Sequence, residues 1–179
     1  MREALEALAA RQFADAIAQA EHALTTDLDG EEMDERGHAG GYPNRARAYY
    51  VLGSARCELG DSAGAIAAFD KSLALDDSDH VSYSNRAIAK RNAGDVDGAL
   101  ADFSRAIQLR TTYPHARFNR AQLFAAQGQL ERADVDYATL LAIAPTPEHR
   151  AAWNELRERR GMPHDDAALA DAIPPAFRR

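Results

Sequence analysis

Several residue types are scarce in this chain of 179 residues, and each scarcity excludes a class of protein or site. Cys57 is the one cysteine, so the sequence excludes a disulfide framework and a cysteine-based metal site, and we interpret Cys57 as a small helix side chain. No stretch approaches the ~20 consecutive apolar residues that a membrane-spanning helix needs. Acidic residues also interrupt the apolar residues near Met1, so we predict no secretory signal, no membrane partner and a cytoplasmic location.

Clusters of basic residues and catalytic motifs are missing as well. The formal net charge is −7, and a nucleic-acid partner would need clustered Lys and Arg to neutralise its phosphates. The sequence has no nucleophile elbow, no glycine-rich phosphate loop and no HExxH motif, and the six histidines lack metal-ligand spacing. We therefore predict no nucleic-acid partner, no enzymatic activity, no catalytic residue, no metal and no cofactor.

What the chain does contain is a pair of amphipathic helical patterns in residues 80–113, separated by Gly94-Asp95. In the second pattern Ala99, Phe103 and Ile107 recur at helical spacing, which places them on one apolar stripe. Small residues in both patterns would let two antiparallel helices approach closely. Because a single helix pair cannot bury both of its faces, this pair needs neighbours of the same kind.

The neighbours follow at a constant offset of 34 residues. The offset relates sets of glycine, alanine, aromatic and small residues: Gly60, Gly94 and Gly128; Ala65, Ala99 and Ala133; Phe69, Phe103 and Tyr137; Gly53, Ala87 and Ala121. A helix–turn–helix repeat of this period, with this pattern of small and aromatic residues, resembles the tetratricopeptide-repeat family. The resemblance covers three successive copies over residues 46–147 without an insertion.

The resemblance implies an all-α fold, a right-handed superhelical solenoid of antiparallel helix pairs with a C-terminal capping helix. The repeated glycine is expected to end each first helix in the left-handed conformation, and an Asp is expected to cap the second helix, where the last repeat instead has Gln129. Trp153 and Leu156 are expected to cover the last hairpin. We expect the following segments: a degenerate N-terminal repeat at 1–26, with a short helix near 2–10 followed by a second helix; an acidic and glycine-rich insertion loop at 27–45; repeats at 46–79, 80–113 and 114–147; and a capping helix with an extended C-terminal tail at 148–179.

Two features of the N-terminal part leave alternatives open. The atypical first repeat is either a terminal repeat with one face in water or the remnant of a longer chain. The insertion begins like a calcium-binding loop at Asp27-Leu28-Asp29-Gly30, but Thr25 and Arg36 stand where ligands are required, so we predict a solvated acidic loop. Its six carboxylates suggest the hypothesis that it competes weakly for the binding groove of its own molecule.

The resemblance also implies a binding surface, because the first helices of such repeats line a concave groove. Carried over position by position, the predicted peptide-binding residues are Arg47, Tyr50, Ser54, Ser84, Asn85, Ile88, Arg91, His115, Phe118, Asn119 and Gln122. This set contains basic, aromatic and amide side chains and no carboxylate. The alternative interpretation is a face that is merely solvated.

We predict that the protein binds a segment of another protein or peptide in this groove. A first alternative is a co-chaperone-like adaptor that holds a partner's C-terminal carboxylate, because Ser84-Asn85-Arg86-Ala87 resembles the middle repeat of such domains. The positions expected to complete that clamp differ, with Val51 and His115 among them. A second alternative is a non-catalytic regulatory subunit of an enzyme complex. We interpret Arg86 and Arg120 as residues whose stems pack between repeats while their charged ends reach water.

Overall fold

The computed structural model describes residues 2–26 and 41–178, and every regular element in these residues is helical. The helices are α1 (Arg2–Thr26), α2 (Gly41–Glu58), α3 (Ser62–Leu75), α4 (His80–Asn92), α5 (Val96–Leu109), α6 (Pro114–Ala126), α7 (Leu130–Ile143), α8 (Pro147–Arg159) and α9 (Asp166–Ala172), followed by a 3-10 turn at Pro175–Phe177. They form two compact units, Met1–Asp102 and Phe103–Arg179.

The N-terminal segment differs from the predicted pair of helices, because α1 is a single helix that continues through the expected turn. The later repeats break at a glycine followed by a capping residue, whereas Arg11 and Gln12 occupy the corresponding place here. Both are good helix formers, so nothing in the local sequence ends the helix. The prediction of a short first helix near residues 2–10 was therefore wrong.

The predicted insertion loop is shorter at its C-terminal end than expected, because α2 begins at Gly41 and not near residue 45. Pro43 falls within the first turn of that helix, where its missing N–H leaves no hydrogen bond unmade. The acidic part of the insertion, with the predictions about calcium and about competition for the groove, lies outside the described residues.

The turns between the paired helices follow the prediction. Gly60 has a φ of 79°, and the N–H of Asp61 donates to the carbonyl of Arg56 at 2.9 Å, which closes the end of α2. The carboxylate of Asp61 then accepts a hydrogen bond from the N–H of Gly64 at 2.9 Å and caps α3. Gln129 makes no such bond at the start of α7.

In the unit 1–102, α2 packs against α1 and α3, and α3 packs against α4. Phe69 is fully buried among Ala65, Ala89 and Tyr50. A Cβ atom on Gly53 would lie 2.8 Å from the ring of Phe69, which explains why this repeat has glycine at the position. The prediction that the repeated aromatic residue is buried is confirmed here.

In the unit 103–179, α7 packs against α6, α8 and α9. Phe103 and Tyr137 are buried, with exposed fractions of 0% and 4%. Trp153 and Leu156 of α8 are buried too, and the indole N–H of Trp153 donates to Asp134 of α7 at 2.8 Å. A 3-10 turn interrupts the tail that was expected to be extended, and its Phe177 ring lies 5.3 Å from the guanidinium of Arg117.

The charged ends of Arg86 and Arg120 do not simply reach water, which corrects the sequence interpretation. Each guanidinium forms two hydrogen bonds with a buried carboxylate on the second helix of its own repeat, Arg86 with Asp102 and Arg120 with Asp136. Both arginines and both aspartates are separated by 34 residues, so the pairing was visible in the repeat pattern. Pairing in this geometry offsets the cost of removing the charges from water.

Candidate functional site

In the unit 1–102, the predicted binding residues lie on α2 and α4 and differ in their exposure. Arg47 is exposed, and Tyr50, Asn85, Ile88 and Arg91 are half-buried. The side-chain amide of Asn85 donates to the hydroxyl oxygen of Tyr50 at 3.3 Å. The structure therefore joins two predicted residues from neighbouring first helices.

Two serines predicted for this face are not presented to a ligand in the same way. Ser84 has an exposed fraction of 0%, so its side chain belongs to the packing between helices, and its prediction as a contact residue is corrected. Ser54 is half-buried, and its hydroxyl oxygen is shielded from solvent and has no hydrogen-bond partner among the described residues. The helical period identifies a face, but it does not tell how deep each position on that face lies.

A cleft of about 350 Å³ opens where α2 meets the turn between α3 and α4. Its lining residues are Ala46, Arg47, Tyr50, Ser72, Leu75, Asp76 and Asp79. The two carboxylates were not among the predicted residues. Asp79 caps α4 by accepting from the N–H of Val81 at 2.9 Å, and Asp76 accepts from the hydroxyl of Ser78 at 2.6 Å. Both acidic groups are therefore engaged in the turn that ends the repeat.

In the unit 103–179, the predicted residues lie on α6. His115 and Gln122 are exposed, and Phe118 is half-buried. Asn119 is buried, and its amide donates to the backbone carbonyl of His115 at 2.9 Å, one helical turn earlier. Asn119 therefore supports the helix, and its prediction as a contact residue is corrected.

An additional residue, His149 of α8, meets this face. The centroid of its ring lies 5.3 Å from that of Phe118, and the opposite neighbour of Phe118 is Tyr137 at 6.0 Å. Sequence reasoning missed His149 because it treated α8 only as a cap. The signal was present, since His115 and His149 are separated by the repeat length of 34 residues.

Burial affects two ionisable groups near these faces. It raises the pKa of the Tyr137 hydroxyl to about 12, so the group stays neutral at ordinary pH. Burial, with a smaller contribution from Glu58, also raises the pKa of the Cys57 thiol, which keeps it protonated and weakly nucleophilic. In the part of the chain that the structure describes, no group of three or more His, Cys, Asp or Glu side chains is arranged to hold a metal ion. Across residues 2–26 and 41–178, no helix combines the length and apolar content needed to cross a membrane.

Antiparallel helix pairs with one buried aromatic residue per 34-residue step define a helical-repeat protein. A sequence model described as tetratricopeptide repeat matches residues 1–80 and 85–146, and the chain belongs to this family. The predicted all-α repeat fold is thereby confirmed. A comparison with curated protein sequences finds no match.

Solved structures of tetratricopeptide-repeat domains have the same fold. The first such domain of human RPAP3 is 28% identical to this chain, covers 73% of it and 96% of its own length, and has a TM-score of 0.59. The first such domain of Spaghetti (RPAP3) bound to the HSP90 peptide SRMEEVD is 24% identical, with coverages of 65% and 95% and a TM-score of 0.62. The Yersinia enterocolitica secretion chaperone SycD in complex with a peptide of the translocator YopD is 18% identical, with coverages of 64% and 93% and a TM-score of 0.59.

Proposed function

We propose that this protein is a protein-interaction module that binds a segment of a partner protein and has no catalytic role of its own. The observation that carries the proposal is its membership of a family in which two similar structures hold peptides from other proteins. In this proposal the repeats at 46–79, 80–113 and 114–147 each contribute their first helix to the binding surface, and residues 1–26 form a degenerate first repeat.

The side chains on these helices support binding more than simple solvation. Tyr50 and Phe118 are large rings held by neighbouring aromatic residues, Phe69 at 6.1 Å and Tyr137 at 6.0 Å. A ring fixed in this way gives contact area at a low entropic cost when a ligand binds. The exposed guanidinium of Arg47 adds hydrogen-bond donors near Tyr50. An aromatic residue with adjacent polar groups is the composition found at energetically important points of interfaces.

The test is to select peptides with the full chain from a random library displayed on phage and to measure their affinity by calorimetry. Tyr50→Ala and Phe118→Ala should each weaken binding by about tenfold, because each removes an aromatic anchor. Val135→Ala is the matched control, since Val135 is 49% exposed and lies outside the predicted face. Failure to select any peptide, or equal affinity of all three variants and the parent, would contradict the proposal.

A second candidate is an adaptor that holds a C-terminal carboxylate. It is favoured by the position of Asn85 and by the HSP90 peptide in a similar domain. The side-chain contacts argue against it, because the amide of Asn85 donates to Tyr50 and the amide of Asn119 is buried against the backbone of its own helix. Comparing each selected peptide as a free acid and as a C-terminal amide separates the candidates. A loss of about tenfold on amidation would favour the adaptor.

A further inference from the structure

We propose that α8 extends the binding surface, and that His149 contacts a carboxylate of an acidic partner segment whose neighbouring apolar side chain packs on Phe118. This inference rests on the proposed function and adds a residue and a ligand chemistry to it. A helix expected only to cap the repeats thus has a binding role as well.

The position of α8 in the repeat register is the first argument. The 34-residue step that relates the first helices places His149 at the position of His115. Thr146 caps the helix by accepting from the N–H of His149 at 3.2 Å, and Pro147 follows as the first helical residue. Since α8 packs on α7, it occupies the place of a first helix in a further repeat.

The local contacts of His149 fix its ring and determine which nitrogen meets a ligand. Nδ1 lies 2.7 Å from the carbonyl oxygen of Ala144, and because a carbonyl only accepts, Nδ1 must carry the proton. Phe118 holds one side of the ring at a centroid distance of 5.3 Å. His149 is half-buried, and Nε2 is not one of the shielded, unpaired atoms in the described residues. Nε2 is therefore the group available to a partner.

The charges around this ring favour an acidic ligand. The predicted face of α6, with His115, Phe118 and Gln122, carries no carboxylate to repel one. A protonated imidazole donates from Nε2 and forms a charge-assisted hydrogen bond with a carboxylate. The aromatic ring of Phe118 beside it offers contact area to an adjacent apolar side chain.

The groups that face His149 define how binding should depend on pH. On its own helix the charged neighbours are Glu148 and Arg150, and Arg150 is paired with an acidic residue of α9 at 2.7 Å. Hydrogen bonds to its own backbone N–H and to Thr146 keep the pKa of Glu148 below its ordinary value, so Glu148 stays ionised in the range tested. From α6 and α7 the facing groups are aromatic, Phe118 and behind it Tyr137, which stays neutral.

The experiment uses the full chain and the peptides selected as described above. Their affinity for the parent should rise as the pH falls from about 8 to about 5.5, the range in which histidine gains its charge. His149→Gln should remove most of that rise and weaken binding at the lower pH by about five- to tenfold. His164→Gln is the matched control, because His164 is an exposed histidine of the same unit beyond α8.

The outcomes separate this inference from the proposed function. Peptides that bind the parent and His149→Gln equally at both pH values would overturn the role of His149 and leave the interaction module intact. An equal loss in His115→Gln and none in His149→Gln would place the acidic contact on α6 and would also overturn it. Selected peptides without Asp or Glu would contradict the ligand chemistry. If no peptide is selected, both proposals fail.

Discussion

The guanidinium of Arg86 holds the carboxylate of Asp102 through two parallel hydrogen bonds, each of 2.7 Å. Lys90 approaches the same carboxylate at 2.9 Å, and the Asp102 side chain is only 7% exposed. The hydrogen bond with Asp102 is the main reason that the pKa of Arg86 is raised above its ordinary value. Arg86 also meets Asp70 of the preceding repeat at 2.6 Å, but that carboxylate is 54% exposed. One arginine thus joins a buried and an exposed acidic residue, and their contributions to stability should differ.

Replacing Asp102 by Asn should lower the free energy of unfolding by about 3–5 kcal/mol, because it leaves two cations without their buried partner. Asp70→Asn is the matched control, with an expected loss of about 0–1 kcal/mol because water screens the exposed pair. Urea unfolding followed by circular dichroism measures both. Equal losses in the two variants would contradict the assignment of Asp102 as the central partner.

Replacing Gln129 by Asp should stabilise the protein by about 0.5–2 kcal/mol, because it supplies the missing cap of α7. The corresponding Asp95 accepts from the N–H of Gly98 at 2.9 Å, so Asp95→Gln should lose a similar amount. Thermal unfolding of the two variants gives the comparison. A Gln129→Asp variant no more stable than the parent would show that the side-chain contacts of Gln129 already compensate for the cap.

Trp153 should contribute to stability through both its ring and its N–H group. Trp153→Ala should cost about 3–5 kcal/mol because it empties a fully buried site on α7. Trp153→Phe keeps a ring but leaves Asp134 without one hydrogen bond, with an expected cost of about 1–3 kcal/mol. Urea unfolding measures the two losses. If Trp153→Ala unfolds like the parent, α8 does not protect the last repeat.

Tyr137 should make the protein sensitive to alkali. Its pKa is about 12 in the folded chain, against an ordinary value of 10.0, so the folded state holds the proton more tightly than the unfolded state. The resulting stabilisation is complete below about pH 10 and is lost as the pH rises through about 12, with a total effect of about 2–3 kcal/mol. Tyr137→Phe should therefore lose less stability than the parent between these pH values. Parallel pH profiles of the two proteins would contradict the prediction.

The sequence by itself determined the helical class, the repeat length and the turns. Their signals are local or strictly periodic: Gly60 and Asp61 set a turn through their own backbone and side chain, and Phe69, Phe103 and Tyr137 recur on the same helical face. Each signal needs only the chain within a few residues or one repeat length. The face that carries Tyr50 and Phe118 followed from the same periodicity through the family resemblance.

Only the tertiary structure decided the depth and the partners of individual side chains. Ser84 and Asn119 occupy positions in the same pattern as exposed residues, but close packing of neighbouring helices buries them. The amide of Asn85 meets Tyr50 because α2 and α4 come together, and the ring of His149 meets Phe118 because α8 packs on α7. A helical period fixes the direction of a side chain, whereas its exposure and its hydrogen bonds depend on which distant residues the packed helices bring within contact distance.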